Sequence, residues 1–127
     1  MPDGQRTILV VDDDPDARDF FITVLEDNGY ATVSARDGNE ALLRLAEGKP
    51  DLVTLDITMP EKSGVGVYRK LKEDAELSAI PVIIITGVSD DFKQFISTRR
   101  KVPPPDGYLS KPVEAEQLVG LVGQLLA

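Results

Sequence analysis

A chain of 127 residues, 42% hydrophobic and 28% charged, has the size and composition of one soluble globular domain with a single core. It contains no cysteine and no histidine, which excludes disulfides, thiolate zinc sites, thiol nucleophiles, His-based triads and phosphohistidine carriers. Fourteen basic against twenty-two acidic residues give a net charge of −8, the wrong sign for a general nucleic-acid surface and suited to a metal cation or a basic partner.

In chain order, the opening MPDGQRT has no apolar signal core, which points to the cytoplasm. Residues 7–11 (TILVV) are β-rich and predict a first strand. Residues 15–27 follow helical spacing, with Ala17, Phe20, Phe21, Val24 and Leu25 on one stripe. Asp14 suits the N-cap of that helix, Pro15 its first position and Gly29 its stop. Residues 30–35 (YATVSA) alternate weakly, as a strand near a sheet edge does. DGNE at 37–40 opens a second helix carrying Ala41, Leu42, Leu45 and Ala46, closed by Gly48. Residues 51–56 (DLVTLD) predict a third strand and 64–74 a third helix.

Residues 82–86 (VIIIT) are almost wholly apolar, as a strand covered on both faces should be. The apolar run at 81–85 is far too short to cross a bilayer, so no membrane segment is expected. A fourth helix is predicted over 89–99, with Phe92, Phe95 and Ile96 as its apolar contacts. A short last strand follows at 108–109, and a closing helix over 113–126 with Leu118, Leu121, Val122 and Leu125 facing inward. Strands alternating with helices predict a three-layer α/β fold with a parallel sheet. With no linker or repeat in view, residues 1–127 read as one domain. The one irregular stretch, RRKVPPP at 99–105, is basic and then proline-rich, which forces a stiff, extended path.

The polar residues collect at the strand ends. Asp12 and Asp13 follow the first strand, Asp56 ends the third, Thr86 ends the fourth and Lys111 follows the fifth. In open parallel α/β sheets, ligands bind at that edge, in the crevice where strand order reverses. The adjacent acids of VVDDDP are either loop residues that also start a helix, or they gather around something positive. Three close carboxylates do not all stay ionised without a counter-charge. A hard divalent cation with oxygen ligands resolves the repulsion, and Mg²⁺ suits a small, partly hydrated site. Asp56 can then serve as both ligand and nucleophile, because carboxylates form aspartyl-phosphates. Thr86 and Lys111 are placed to contact the phosphoryl oxygens, while Asp14 caps the helix.

VVDDDP at 10–15, LDITMPEKSG at 55–64, IIITG at 83–87 and YLSKP at 108–112 together resemble the receiver domains of two-component response regulators, across essentially the whole chain. The resemblance implies a flavodoxin-like, doubly wound (βα)5 fold with a five-stranded parallel sheet ordered 2-1-3-4-5. It implies that Asp56 is the phosphoacceptor. Asp13, Asp56 and the backbone carbonyl of Thr58 would ligate Mg²⁺ directly, with Asp12 helping through water. Thr86 would be the switch hydroxyl, Lys111 the phosphate-binding lysine, and Tyr108 the aromatic switch whose ring turns inward. The Lys111–Pro112 bond looks like the family's cis peptide. The implied phosphodonor is a sensor histidine kinase or a phosphotransfer protein. The output is a partner or fused effector bound by the face of the fourth helix, last strand and last helix, with the chain a monomer or a phosphorylation-dependent dimer. The role is that of a cytoplasmic switch rather than an enzyme, with self-phosphorylation and autodephosphorylation as its only chemistry.

Some features depart from the family pattern. Gly87 stands where a small residue, usually Ala, follows the switch Thr. RRKVPPPDG replaces the usual alanine- and glycine-rich connection, and Arg99, Arg100 and Lys101 within it are candidates for partner binding. Uncharged Thr58 and apolar Val88 stand where the family controls water access, which predicts slow self-dephosphorylation. A haloacid-dehalogenase-like phosphohydrolase is the rival reading, with Asp12 as nucleophile and Asp12 and Asp14 supplying its Asp-x-Asp spacing. A phosphorylation-independent interaction module is a third.

Overall fold

The computed structural model describes residues 5–57, 63–86 and 106–127, with the side chains of 63–65 and 86 outside that description. Strands β1 (Thr7–Val11), β2 (Ala31–Ala35), β3 (Leu52–Asp56), β4 (Val82–Thr86) and β5 (Gly107–Ser110) form one parallel sheet in the order β2-β1-β3-β4-β5. The helices are α1 (Pro15–Asp27), α2 (Gly38–Glu47), α3 (Ser63–Glu73) and a C-terminal helix (Ala115–Leu126). This is the doubly wound, flavodoxin-like order.

Because side chains alternate along a strand, each inner strand feeds two separate cores. Leu9 and Val11 of β1, Val53 and Leu55 of β3, and Val82 and Ile84 of β4 pack against Ala41 and Leu45 of α2 and Val67, Tyr68 and Leu71 of α3. Ile8, Val10, Leu52, Ile83 and Ile85 turn the other way, onto Phe21 and Leu25 of α1 and Leu118 and Val122 of the C-terminal helix. β3 is buried along its whole length. That double covering explains why its apolar run and that of β4 show so little polar alternation.

Local signals set the helix ends. Asp14 caps α1 by accepting from the Asp16 backbone N–H at 3.0 Å, Pro15 is the first helical residue, and Gly29 follows the helix at φ +91°, where only glycine is unstrained. Asp37 caps α2 by accepting from Glu40 N–H at 2.8 Å, and Glu40 in turn accepts from Arg36 N–H at 2.8 Å.

Several expectations need correction. Phe20 is not on the core stripe of α1: it is 41% exposed and meets Phe21 edge-on, with ring centroids 5.7 Å apart. A helix turns 100° per residue, so two adjacent aromatics cannot share one buried face fully. Ala46 of α2 is exposed as well. The closing helix starts at Ala115 rather than 113, because Glu114 N–H is capped by the Gln117 side chain at 3.1 Å while Val113 packs on the core from outside the helix. β5 runs from Gly107, longer than the 108–109 expected. The predicted fourth helix (89–99), the 99–105 stretch with Arg99, Arg100 and Lys101, and Thr58, Gly87 and Val88 lie outside the described residues.

Where the chain resumes, Asp106 is tied to the N-terminal edge of β4. Its N–H donates to Val82 O at 3.1 Å and its carboxylate accepts from Val82 N–H at 2.9 Å. Lys72, at the end of α3, approaches the same carboxylate at 3.5 Å and lies 5.8 Å from the centre of the buried Tyr68 ring. No helix among the described residues is long and apolar enough to cross a membrane.

Candidate functional site

The strand order reverses at β1, which has β2 on one side and β3 on the other. Asp12 and Asp13 leave the C-terminal end of β1, and Asp56 is the last residue of its neighbour β3. Their carboxylates converge: one oxygen from each of Asp12, Asp13 and Asp56 lies within 4.8 Å of the others. Asp12 and Asp56 are buried, whereas Asp13 is exposed at the rim.

Lys111 enters from the loop after β5. Its Nζ donates to Asp56 Oδ2 at 3.1 Å and stands 3.2 Å from Asp12 Oδ2. The second contact is an ion pair without the angles of a hydrogen bond, so the buried Asp12 Oδ2 has no hydrogen-bond donor among the described residues. Asp12 Oδ1 accepts from the Asp14 backbone N–H at 2.9 Å. Asp12 N–H donates to Ala35 O at 3.1 Å, and its carbonyl accepts from Arg18 Nη1 at 2.8 Å. The Lys111–Pro112 peptide is cis.

The electrostatics follow from burial. Desolvation pushes the Asp12 carboxyl up, the Asp14 N–H pulls it down, the Asp56 charge pushes it up again and Lys111 draws it back, leaving it at about 6. For Lys111, desolvation works against the ammonium, but Asp56 and Asp12 outweigh it and hold the group above the ordinary lysine value. Lys111 thus faces two of the three clustered carboxylates, those of Asp12 and Asp56. The donor set is oxygen only, two of its three members are buried, and one buried oxygen has no hydrogen bond among the described residues. A hard divalent cation such as Mg²⁺ fits these residues.

The other expected residues fall as follows. Thr86 ends β4 opposite Ser110, immediately before Lys111, and its hydroxyl lies outside the description. Tyr108 lies on β5, opposite Ile84 of β4, and is 39% exposed. Asp14 caps α1 and stands outside the carboxylate cluster, so the Asp12–Asp14 pair of the hydrolase reading is not assembled. Arg18 was not among the expected site residues. Its one signal in the sequence is to be the only basic residue in the acidic run DDDPDARD.

A family model described as the response regulator receiver domain matches residues 8–123. The chain is 36% identical over 120 residues to the protein PilH of Pseudomonas aeruginosa, covering 94% of this chain and 97% of that one. It is 34% identical over 122 residues to the DNA-binding response regulator MtrA of Mycolicibacterium smegmatis, covering 96% of this chain but 51% of MtrA. Among solved structures, the signal receiver domain of a signal transduction histidine kinase from Syntrophus aciditrophicus superposes with a TM-score of 0.83 at 34% identity, covering 95% of this chain and 89% of that one. The hydrolase reading is not favoured by these matches.

Proposed function

The chain belongs to the family of response regulator receiver domains, signalling modules of phosphorelays, and from that premise we propose that Asp56 is its phosphoacceptor, served by Mg²⁺, Thr86 and Lys111. The observation that carries this reading is the convergence of the Asp12, Asp13 and Asp56 carboxylates within 4.8 Å, with Lys111 Nζ 3.1 Å from Asp56 Oδ2.

The donor is a phosphohistidine on a sensor kinase or phosphotransfer protein. This sequence has no histidine of its own, so the imidazole comes from the partner. A carboxylate oxygen of Asp56 forms the new O–P bond as the P–N bond of the phosphoimidazole breaks; the imidazole leaves with the bonding pair and takes up a proton. Asp12, Asp13 and Asp56 would hold Mg²⁺, Asp13 and Asp56 directly together with the Thr58 carbonyl, and Asp12 through water. The bound cation supplies charge neutralisation, both among the carboxylates and on the transferred phosphoryl oxygens. Lys111 would exchange its contact with Asp56 for one with those oxygens, and Thr86 would donate its hydroxyl to them. Movement of Thr86 draws the Tyr108 ring inward and so changes the face presented to an output partner, a population shift between two states. The whole chain acts as one cytoplasmic receiver domain, a switch rather than an enzyme.

The test is phosphoryl labelling from a small acyl-phosphate donor with Mg²⁺. The expected product is a hydroxylamine-sensitive acyl phosphate that is formed by the wild type and lost in Asp56→Asn. A label that survives Asp56→Asn but disappears in Asp12→Asn would return the hydrolase reading. A chain that takes no label from any donor but still binds its partner would be an interaction module independent of phosphorylation.

A further inference from the structure

We propose that Arg18 is a positioning residue for the acidic pocket: its guanidinium sets the main chain of Asp12 so that the three carboxylates meet around a cation. This rests on the reading of the pocket as a Mg²⁺ site. Arg18 lies in the second turn of α1, and its Nη1 reaches back to donate to the Asp12 carbonyl at 2.8 Å. On the other side, Asp12 N–H is bound to Ala35 O, at the end of β2, at 3.1 Å. The residue is therefore held from β2 through its N–H and from α1 through its carbonyl. A third bond, from Asp14 N–H to Oδ1 at 2.9 Å, orients its carboxylate.

Asp12 is fully buried. Its carbonyl cannot turn to water, so a donor has to come from the protein, and an unmatched carbonyl there would drive the loop to another conformation. A guanidinium suits the task, being planar, permanently charged and long enough to span the turn. It also brings a positive charge into a run where Asp13, Asp14, Asp16 and Asp19 are all exposed.

Two consequences of Arg18 for a bound cation oppose each other. As a cation it repels Mg²⁺; as a clamp it keeps the water-holding carboxylate of Asp12 in place before the ion arrives. The repulsion is weakened, because the side chain is partly exposed and screened by water and salt. Asp12, which would hold the ion through water, is an outer partner of the site, and loosening such a partner costs roughly tenfold or more in metal affinity. The clamp therefore dominates, and the sign of the change in affinity separates the two effects.

The experiment is calorimetric titration of Mg²⁺ into the full chain, wild type against Arg18→Met and Arg18→Lys, with thermal melting of each in chelator. Methionine keeps an unbranched apolar stem without a donor, and its variant should bind Mg²⁺ roughly tenfold more weakly. Lysine keeps a charged donor within reach and should recover most of the loss. The Mg²⁺ concentration for half-maximal labelling should rise by the same factor in the Met variant. If that variant binds Mg²⁺ as tightly as the wild type, or more tightly, Arg18 has no positioning role, whatever its melting temperature. A wild type that takes up no Mg²⁺ is a different failure: it removes the reading of the pocket itself, and this inference with it.

Discussion

Lys111 places its ammonium 3.1 Å from Asp56 Oδ2, joining residues 55 positions apart in the chain. The same nitrogen stands 3.2 Å from Asp12 Oδ2, so this one ammonium faces two buried carboxylates at the ends of neighbouring strands. The pocket is built around a deficit of positive charge, and the behaviour of its variants follows from that deficit.

Lys111→Met should destabilise the metal-free protein by about 2 kcal/mol at neutral pH. That is less than the loss expected on breaking a fully buried pair, because Lys111 is partly exposed. Its ammonium is held above the ordinary lysine value, so its contribution is complete at neutral pH and disappears only in strong alkali. Urea denaturation in chelator measures the loss, and added Mg²⁺ should recover part of it. Equal unfolding midpoints for variant and wild type would mean that the pair contributes nothing.

Asp12→Asn should have the opposite effect. The Asp12 carboxyl is raised from 3.8 to about 6, first by burial, so across that interval the folded protein binds more protons than the unfolded chain. Stability of the metal-free protein from this group therefore falls as pH rises from 3.8 to about 6 and stays low above it. The Asn variant should match the wild type near the bottom of that window and exceed it at neutral pH, by on the order of 1 kcal/mol. Melting curves taken across the range in chelator provide the check. Parallel curves for the two proteins would contradict the raised carboxyl.

Thr54 sits two residues before Asp56 on β3, 1% exposed, and its hydroxyl has no hydrogen-bond partner among the described residues. Its strand neighbours are Val10 and Ile83, both in the core shared with α1 and the C-terminal helix. Thr54→Val, nearly equal in volume, should therefore stabilise the fold by about 1 kcal/mol. A lower melting temperature would show that the hydroxyl is satisfied in solution.

Two glycines should answer differently to alanine. Gly120, in the C-terminal helix, has open space where a Cβ would stand, so Gly120→Ala should stabilise by about 0.5–1 kcal/mol through helix propensity. At Gly107 a Cβ would lie 2.8 Å from Leu121 Cδ2 and 3.2 Å from both Leu121 Cγ and Ile83 Cγ1. Gly107→Ala should destabilise by about 1 kcal/mol, as Leu121 is pushed off β5. Chemical denaturation of both variants decides it; equal effects would remove the close approach of helix and strand as a cause.

Much of this was legible because it is local. The α1 cap at Asp14, Pro15 at its start and Gly29 after its end each act within a turn of the chain, and the structure has all three where the residue types pointed. The β-rich runs of β1, β3 and β4 are equally local, and their polar last residues mark one edge of a parallel sheet. Periodicity was less reliable for the second face of a helix: Phe20 fits the stripe of α1, yet packing leaves it 41% exposed. Arg18 was invisible as a site residue, because its partner is a backbone carbonyl, which carries no signature in the sequence.

The residue order by itself determined which carboxylates, hydroxyl and ammonium end the strands, since strand termini are set by short-range preference. Resemblance to a known family added the strand order. Only the tertiary structure decided that Asp12 and Asp56 are buried side by side, that Lys111 is shared unequally between them, and that Arg18 holds the main chain of Asp12. Those relationships depend on β1 pairing with β3 across more than forty residues, and on the water excluded when helices cover both faces of the sheet. Burial and neighbours, not residue type, set the charge balance of a carboxylate.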